Sequence, residues 1–169
     1  MPRVWRALPD VTLTIVGSHG PPEVTSLEGR NIRVAGWVED MGPLLRESLV
    51  MVAPLRYGAG MKGKVTQSLG AGLPVVTTTI GAEGLDVIDG EEMLIADDPD
   101  AFAERIVSLH RNPDHWRRLS DKGRALAERV CSPRVQKEAL RRLLARIPQE
   151  PPAPQGSSAT NVSWSPAPK

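Results

Sequence analysis

Short runs of apolar residues alternate with amphipathic stretches along the first half of the chain. The runs at residues 11–17, 31–38, 49–55 and 73–79 are rich in Val, Leu, Ile and Thr, and each has the length of a strand. The third is almost entirely apolar, as expected of a strand covered on both faces of a parallel sheet. Helical patterns lie between these runs, at residues 41–48 and 62–71. The alternation predicts an α/β fold, a Rossmann-like parallel sheet with flanking helices.

The helix at residues 62–71 has the clearest pattern of the two. Val65 and Leu69 are four positions apart and share a face, and Gly72 follows as a C-terminal stop. In the last third of the chain, Asp98, Asn112 and Ser132 each precede a proline, which is favoured at the first helical position. These three residues therefore predict the starts of three further helices.

The composition changes again near the C-terminus. From residue 148 onwards the chain consists largely of Pro, Ser, Ala and Gln, with little to bury. We therefore predict a folded domain over residues 1–147 and a disordered Pro/Ser-rich tail over residues 148–169.

Charge and composition argue against several classes of function. The net charge of +1 gives no basic surface for nucleic acid. No apolar run reaches the roughly 18–20 residues of a membrane span. The single cysteine, Cys131, forms neither an internal disulfide nor a cysteine-rich zinc site. We expect a cytoplasmic protein without a nucleic-acid partner or an integral membrane segment, with peripheral attachment to the inner face of the membrane as a further option.

The segment G-A-G-M-K-G-K-V, residues 58–65, falls one residue short of the P-loop pattern G-x-x-x-x-G-K-[ST]. A P-loop needs a Ser or Thr hydroxyl after the lysine to hold Mg²⁺, and Val65 stands at that position. Thr66 comes one residue late, about 100° further around a helix of 3.6 residues per turn. A P-loop-like NTPase is therefore only a remote alternative.

The same segment still favours an anion. Gly58 and Gly60 permit close backbone approach, and the following helix directs unpaired N–H groups towards the loop. Arg56, Lys62 and Lys64 add positive charge. The alternative is a glycine-rich turn with solvated lysines. Three cations at one strand-to-helix junction make anion binding the preferred interpretation.

Taken in order, residues 9 to about 130 resemble the C-terminal half of a GT-B glycosyltransferase of the retaining group 1 family, family 4. The resemblance lies in four segments: PDVTLTIVGSHG, NIRVAGWVEDMGPLLRES, LVMVAPLRYGAGMKGKVTQSLGAGLPVVTTTIGAEGL and DGEEMLIADDPDAFAERIVSLHRNP. In that family the third segment forms the nucleotide-sugar site. The resemblance implies the second, donor-binding domain of a GT-B fold, lacking its first strand.

The family's hallmark is a pair of glutamates around a helix that ends in a G-x-P turn. Here Gly72-Leu73-Pro74 is that turn, and the glutamate positions hold Ala59 and Gln67. In the family the second glutamate holds the ribose of the donor. The amide oxygen of Gln67 still accepts one hydrogen bond, without charge. An ordinary surface residue of the helix is the equal alternative.

Other donor-binding residues follow from the resemblance alone. They are Arg56 and Lys64 at the diphosphate, the backbone of Gly58, Ala59 and Gly60 beside it, and Trp37 and Val38 near the base. Glu83 follows the fourth strand, where open α/β sheets bind ligands, although stabilising its own turn is as good an account. For Trp37 the alternative is ordinary packing. The resemblance implies no metal and no cofactor, with a nucleotide sugar as substrate, and it assigns no catalytic residue.

The function implied is the donor-binding portion of an enzyme that moves a sugar from a nucleotide sugar to an unknown acceptor. Surface polysaccharide or glycoconjugate synthesis is the expected setting. The acceptor-binding domain of a GT-B enzyme is not among these residues, which implies a truncated product or a partner chain. The alternative is a degenerate, non-catalytic module that binds a nucleotide or a partner, as the two replaced glutamates suggest.

Overall fold

The computed structural model describes residues 1–146. The strands in this range are β1 (Leu13–Val16), β2 (Ile32–Gly36), β3 (Met51–Ala53), β4 (Val75–Thr77) and β5 (Leu94–Ile95). The helices are α1 (Pro2–Ala7), α2 (Pro22–Thr25), α3 (Gly42–Glu47), α4 (Gly63–Gly70), α5 (Thr79–Ala82), α6 (Pro99–Arg111), α7 (Pro113–Cys131) and α8 (Pro133–Leu144). The predicted tail lies outside the described residues, so its disorder and the domain boundary at residue 147 stay predictions.

All pairings between these strands are parallel. β1 pairs with β2, with Ile15 opposite Val34, and β3, β4 and β5 form a second sheet in which Val52 lies opposite Val76. No strand pairing within residues 1–146 joins the two sheets, so β1 and β3 each have an open edge. Doubly wound sheets have the strand order 3-2-1-4-5-6, and the two observed sheets match its outer parts. The predicted Rossmann-like α/β class is confirmed.

Strand β4 separates two apolar clusters, because neighbouring residues of a strand point to opposite faces. The cluster against α4 and α7 includes Val75, Val65, Leu69, Met93 and Leu126. The cluster against α1 and α6 includes Val76, Val4, Leu94, Ile106, Leu109 and Leu119. Burying one such side chain contributes about 1.5–3 kcal/mol. Helices on both faces therefore hold the three-stranded sheet and fix where its strands end.

The three predicted proline-containing helix starts are confirmed. The carboxylate of Asp98 accepts from the backbone N–H groups of Asp100 and Ala101 at 2.9 and 3.0 Å. The side chains of Asn112 and Ser132 cap α7 and α8 in the same way. Each cap satisfies donors that the first turn of a helix leaves unpaired.

Helix α8 has an apolar face that is largely exposed in the part of the chain that the structure describes. Leu140, Leu143 and Leu144 are each more than half exposed, and none of the residues of α8 is fully buried. Within residues 1–146, none of the helices combines the length and the apolar character needed to cross a membrane.

Candidate functional site

The loops after β3, β4 and β5 meet at one edge of the three-stranded sheet, because its strands are parallel. Thr78, after β4, donates its hydroxyl to the carbonyl of Leu55, after β3, at 2.7 Å. Asp97, after β5, accepts from the hydroxyl of Thr79 at 2.6 Å and from its backbone N–H at 2.8 Å. These bonds, the hydroxyl first, lower the pKa of Asp97 from its ordinary 3.8. The sheet edge where open α/β folds bind ligands is therefore cross-linked by hydrogen bonds.

The loop after β3, residues 54–62, has the backbone that its glycines predict. Gly58 has φ of +133° and Gly60 has φ of +70°, which side chains with a Cβ rarely tolerate. The loop lies against the turn after α5, since a Cβ added to Gly84 would stand 3.4 Å from the nitrogen of Met61. This folding brings the glycine loop beside Glu83.

The same loop leaves a run of backbone donors unused. The N–H groups of residues 56–64 make no hydrogen bond to other described residues. Helix α4 begins at Gly63, with Lys62 as its N-cap residue and no side-chain cap. The N-terminus of a helix carries unpaired donors and a partial positive charge. Loop and helix start together present the chemistry that suits an anion.

The cations around the loop differ in their surroundings. Arg56 and Lys64 are exposed and form no salt bridge with the residues described. The side chain of Lys62 is only 14% exposed. Its Nζ donates to the carbonyl of Gly60 at 2.5 Å and lies 3.5 Å from Oε2 of Glu83. Lys62 is thus the cation that is fixed inside the loop, whereas the sequence interpretation put Lys64 at the diphosphate.

The start of α4 does not provide a P-loop hydroxyl. Val65 is 1% exposed and belongs to the core cluster against α7. The hydroxyl of Thr66 donates to the carbonyl of Gly63 at 3.0 Å. The position that would hold Mg²⁺ in a P-loop therefore points into the core, which argues against the NTPase alternative.

The two positions at which the family has glutamates lie in different surroundings. Ala59 is exposed in the glycine loop. Gln67 lies one turn into α4 and lines a groove of about 350 Å³, together with residues from α7 and α8. Gly63 lines the same groove, so its mouth adjoins the loop. The amide of Gln67 forms no hydrogen bond with other described residues, and its position allows contact with a ligand that enters the groove from the loop.

Trp37 and Val38 lie on the other sheet. They follow β2, whose last residue, Gly36, has φ of +65°. Trp37 is 70% exposed and Val38 is half-buried. No hydrogen bond or ion pair in the part of the chain described links them to the glycine loop, in contrast to Glu83.

The sequence interpretation counted Lys62 among the cations of the loop but did not assign it to the donor, and it did not consider Tyr57 as a binding candidate. Tyr57, at the start of the glycine loop, is 85% exposed. An exposed aromatic ring beside an anion-binding loop is a recognisable signal, because such rings stack on nucleotide bases. For Lys62, the available signal was Glu83, a carboxylate that follows the next parallel strand. The carboxyl ends of parallel strands meet at one sheet edge, so the fold brings the two residues together.

The chain is similar to a family of known proteins. The family model described as glycosyl transferases group 1 matches residues 1–112. A curated relative, the uncharacterized 44.6 kDa protein in the cps region of Klebsiella pneumoniae, is 29% identical over 120 residues, which are 66% of this chain and 31% of the relative. Among solved structures, HepE of Anabaena in complex with UDP has a TM-score of 0.74 at 16% identity, over 87% of this chain and 45% of HepE.

A second solved structure is a single domain, the C-terminal domain of the glycosyl transferase group 1 family protein LpcC from Francisella tularensis. It has a TM-score of 0.62 at 15% identity, over 75% of this chain and 73% of that domain. At such identities the structural likeness shows the fold alone. The chain spans about a third of the curated relative and less than half of HepE. The family model covers more than half of the chain, and the chain therefore belongs to the group 1 glycosyl transferases.

Proposed function

We propose that this chain is the donor-binding part of a glycosyltransferase that moves a sugar from a nucleotide sugar to an acceptor. One observation carries the proposal: the glycine loop offers unpaired backbone donors and cations at the ligand-binding edge of the sheet in a member of this family. HepE, which shares the fold, was solved with UDP, so uridine nucleotides are the first ligands to test.

In this proposal the loop receives the diphosphate of the donor. The backbone of Gly58, Ala59 and Gly60 approaches the phosphates, and the exposed side chains of Arg56 and Lys64 neutralise them. Charge-assisted hydrogen bonds of this kind are roughly twice as strong as neutral ones. Such cations stabilise the charge that develops on a departing diphosphate without a metal ion, so we propose a metal-independent site.

The remaining candidates are assigned to the nucleoside and the sugar. We place Gln67 at the ribose, since its groove opens beside the loop through Gly63. Trp37 and Val38 are placed near the base, where the exposed indole offers a stacking surface. Glu83 stands beside the phosphate end of the site through its contact with Lys62.

Transfer also requires an acceptor hydroxyl held against the donor sugar. Positioning of this kind supplies about 7–11 kcal/mol of a reaction barrier. We propose that a second domain, in a longer form of the protein or on a partner chain, binds the acceptor.

We also propose that the protein is cytoplasmic and peripheral at the inner face of the membrane, and that it acts in surface polysaccharide or glycoconjugate synthesis. The relative from a cps region supports that setting.

Titration calorimetry of the 169-residue chain with UDP, GDP and ADP tests the donor site. We expect at least one nucleoside diphosphate to bind, with the same affinity in EDTA and in excess Mg²⁺. If none binds, the donor site is not where we place it. A strict Mg²⁺ requirement would instead contradict the metal-independent site.

A second candidate function is a non-catalytic nucleotide-binding module. It is favoured by Ala59 and Gln67, because neither supplies the carboxylate that is the hallmark of the family at these positions. The two candidates are separated by incubating the 169-residue chain, and separately a longer form of the protein that includes the second domain, with UDP-sugars. Sugar transfer or release by the longer form supports the enzyme, and binding without turnover in both forms supports the module.

A further inference from the structure

The side chain of Lys62 folds back onto the glycine loop. Its Cε stands 3.5 Å from the place where a Cβ on Gly58 would be, and its Nζ is bonded to the carbonyl of Gly60. A Cβ at position 58 would be in ordinary van der Waals contact with this stem, so the strain of a substitution there comes from the φ of +133°. The loop thus holds an ammonium group within a stretch whose backbone donors are unpaired.

Glu83 supplies the negative charge that this ammonium group meets. Its Oε2 lies 3.5 Å from Nζ of Lys62, and this is the one salt bridge made by a loop cation among the residues described. The two partners are unequal, since the Lys62 side chain is 14% exposed and that of Glu83 is 56% exposed. The lysine is held in place, and the carboxylate reaches it from solvent.

A carboxylate oxygen and a phosphate oxygen make the same kind of contact with an ammonium group, a charge-assisted hydrogen bond. A single N–H of Lys62 cannot form a full-strength hydrogen bond to a carboxylate oxygen and to a phosphate oxygen at the same time. A like charge beside an arriving diphosphate also repels it. Exposed ion pairs contribute little net stability, because solvent screens them, so a dianion with additional backbone contacts can displace Glu83.

We propose that Glu83 is an internal competitor that occupies Lys62 in the ligand-free chain and gives it up to a phosphate of the bound donor. This inference rests on the proposed donor site and adds Lys62 to its ligands. Lys62 is the residue that receives the phosphate, and the ion pair with Glu83 lowers the affinity of the loop for it.

The test is a double-mutant cycle on UDP binding by the 169-residue chain, measured by titration calorimetry. Glu83→Gln should tighten binding roughly two- to fivefold, the range of a screened ion pair. Lys62→Ala should weaken it by more than tenfold. In the Lys62→Ala background, Glu83→Gln should tighten binding by clearly less, because only the direct repulsion between carboxylate and diphosphate is then removed.

Asp86→Asn is the matched control. Asp86 is exposed three residues further on and makes no hydrogen bond or ion pair with other described residues. Its substitution removes the same charge from the same turn and should leave UDP affinity unchanged. An equal gain in Asp86→Asn, or a gain from Glu83→Gln that is just as large without Lys62, would show a general charge effect and overturn the competitor role.

The remaining outcomes separate the inference from the proposed function. UDP binding that Glu83→Gln leaves unchanged or weakens overturns the competitor and leaves the donor site standing. UDP binding that is seen only in the Glu83→Gln variant supports the competitor and shows that Glu83 keeps Lys62 occupied in the parent chain. An absence of binding in every variant removes the donor site and the competitor with it.

Discussion

The hydroxyl of Ser120 donates a 2.6 Å hydrogen bond to the carbonyl of Gly72, and this contact joins α7 to the turn that ends α4. The two residues are 48 positions apart, and both are buried. Helix α4 carries the end of the glycine loop at its other terminus. The contact therefore fixes the helix on which the candidate site is built.

We predict that Ser120→Ala destabilises the fold by about 1–3 kcal/mol, because it leaves the buried carbonyl of Gly72 unpaired. The free energy of unfolding from urea denaturation measures this cost. Ser108→Ala is the control: the Ser108 hydroxyl, half-buried, bonds within its own helix to the carbonyl of Arg105. A loss in Ser120→Ala no larger than that in the control would contradict the structural role of this contact.

Gly72 has a second constraint, its backbone conformation. Its φ is +77°, and the N–H groups of Gly72 and Leu73 bond to the carbonyls of Leu69 and Ser68, the pattern of a Schellman turn. We predict that Gly72→Ala costs about 1–3 kcal/mol of unfolding free energy, from the strained φ. The displaced guanidinium of Arg124 adds little, since it is the end of a flexible side chain.

Gly17→Ala provides the comparison for this substitution. A Cβ at Gly17 would meet nothing within 4 Å, and its φ is not in the left-handed region. In thermal or urea unfolding, the free energy of unfolding of Gly72→Ala should be well below that of Gly17→Ala. Equal stability of the two variants would show that the turn after α4 relaxes without cost.

Local signals account for the elements that the sequence predicts correctly. Residues within one turn of a helix determine the Schellman turn at Gly72 and the caps at Asp98, Asn112 and Ser132. Such features can therefore be predicted from the local sequence. Strand β5 and helix α5 were not predicted. β5 has two residues, and Leu94 is fully buried only because α6 and β4 surround it. No periodicity develops over so short a segment.

The candidate site divides in the same way. The glycine loop could be predicted because the conformations of Gly58 and Gly60 are properties of single residues. The pairing of Lys62 with Glu83 could not be predicted, since the two residues are 21 positions apart and three secondary-structure elements lie between them. The groove beside Gln67 depends on α7, which packs against α4, and on α8, which packs against α7, and both contacts are tertiary.

The bond between Thr79 and Asp97 predicts a pH dependence of stability. The pKa of Asp97 is lowered from 3.8 in the fold, so its stabilising contribution is present above that value and is lost as the pH falls through the lower folded pKa. Thr79→Ala removes the larger cause of the shift. We predict that the variant is less stable than the parent at neutral pH, and that the difference shrinks below about pH 4.

Urea denaturation from pH 7 to about pH 2.5 measures this difference. Thr25→Ala is the control, because the Thr25 hydroxyl, also exposed, bonds to the carbonyl of Pro22 rather than to a carboxylate. Its effect should be the same at every pH. A Thr79→Ala difference that is also constant with pH would show that the hydroxyl does not act through the charge of Asp97.

Gln67 offers a gain-of-binding test of the ribose assignment. We predict that Gln67→Glu strengthens binding of a nucleoside diphosphate, because a carboxylate accepts from both ribose hydroxyls through stronger, charge-assisted bonds. Gln136→Glu makes the same chemical change in the same groove, from α8, and should give no gain. Calorimetry compares the two. No change or weaker binding in Gln67→Glu would place Gln67 outside the ribose site.

Lys64 tests whether the exposed cations of the loop contact the donor. Lys64 is the second residue of α4 and has no salt-bridge partner among the described residues, so its ammonium group is available to a ligand at the helix start. We predict that Lys64→Ala weakens binding of UDP or GDP by more than tenfold, about 1.4 kcal/mol, as expected for loss of a charged hydrogen bond. Lys137→Ala, an equal loss of charge on exposed α8, controls for the net charge and should bind as the parent does. If the two variants bind alike, Lys64 does not touch the diphosphate, and the half-buried Lys62 is left as the lysine that does.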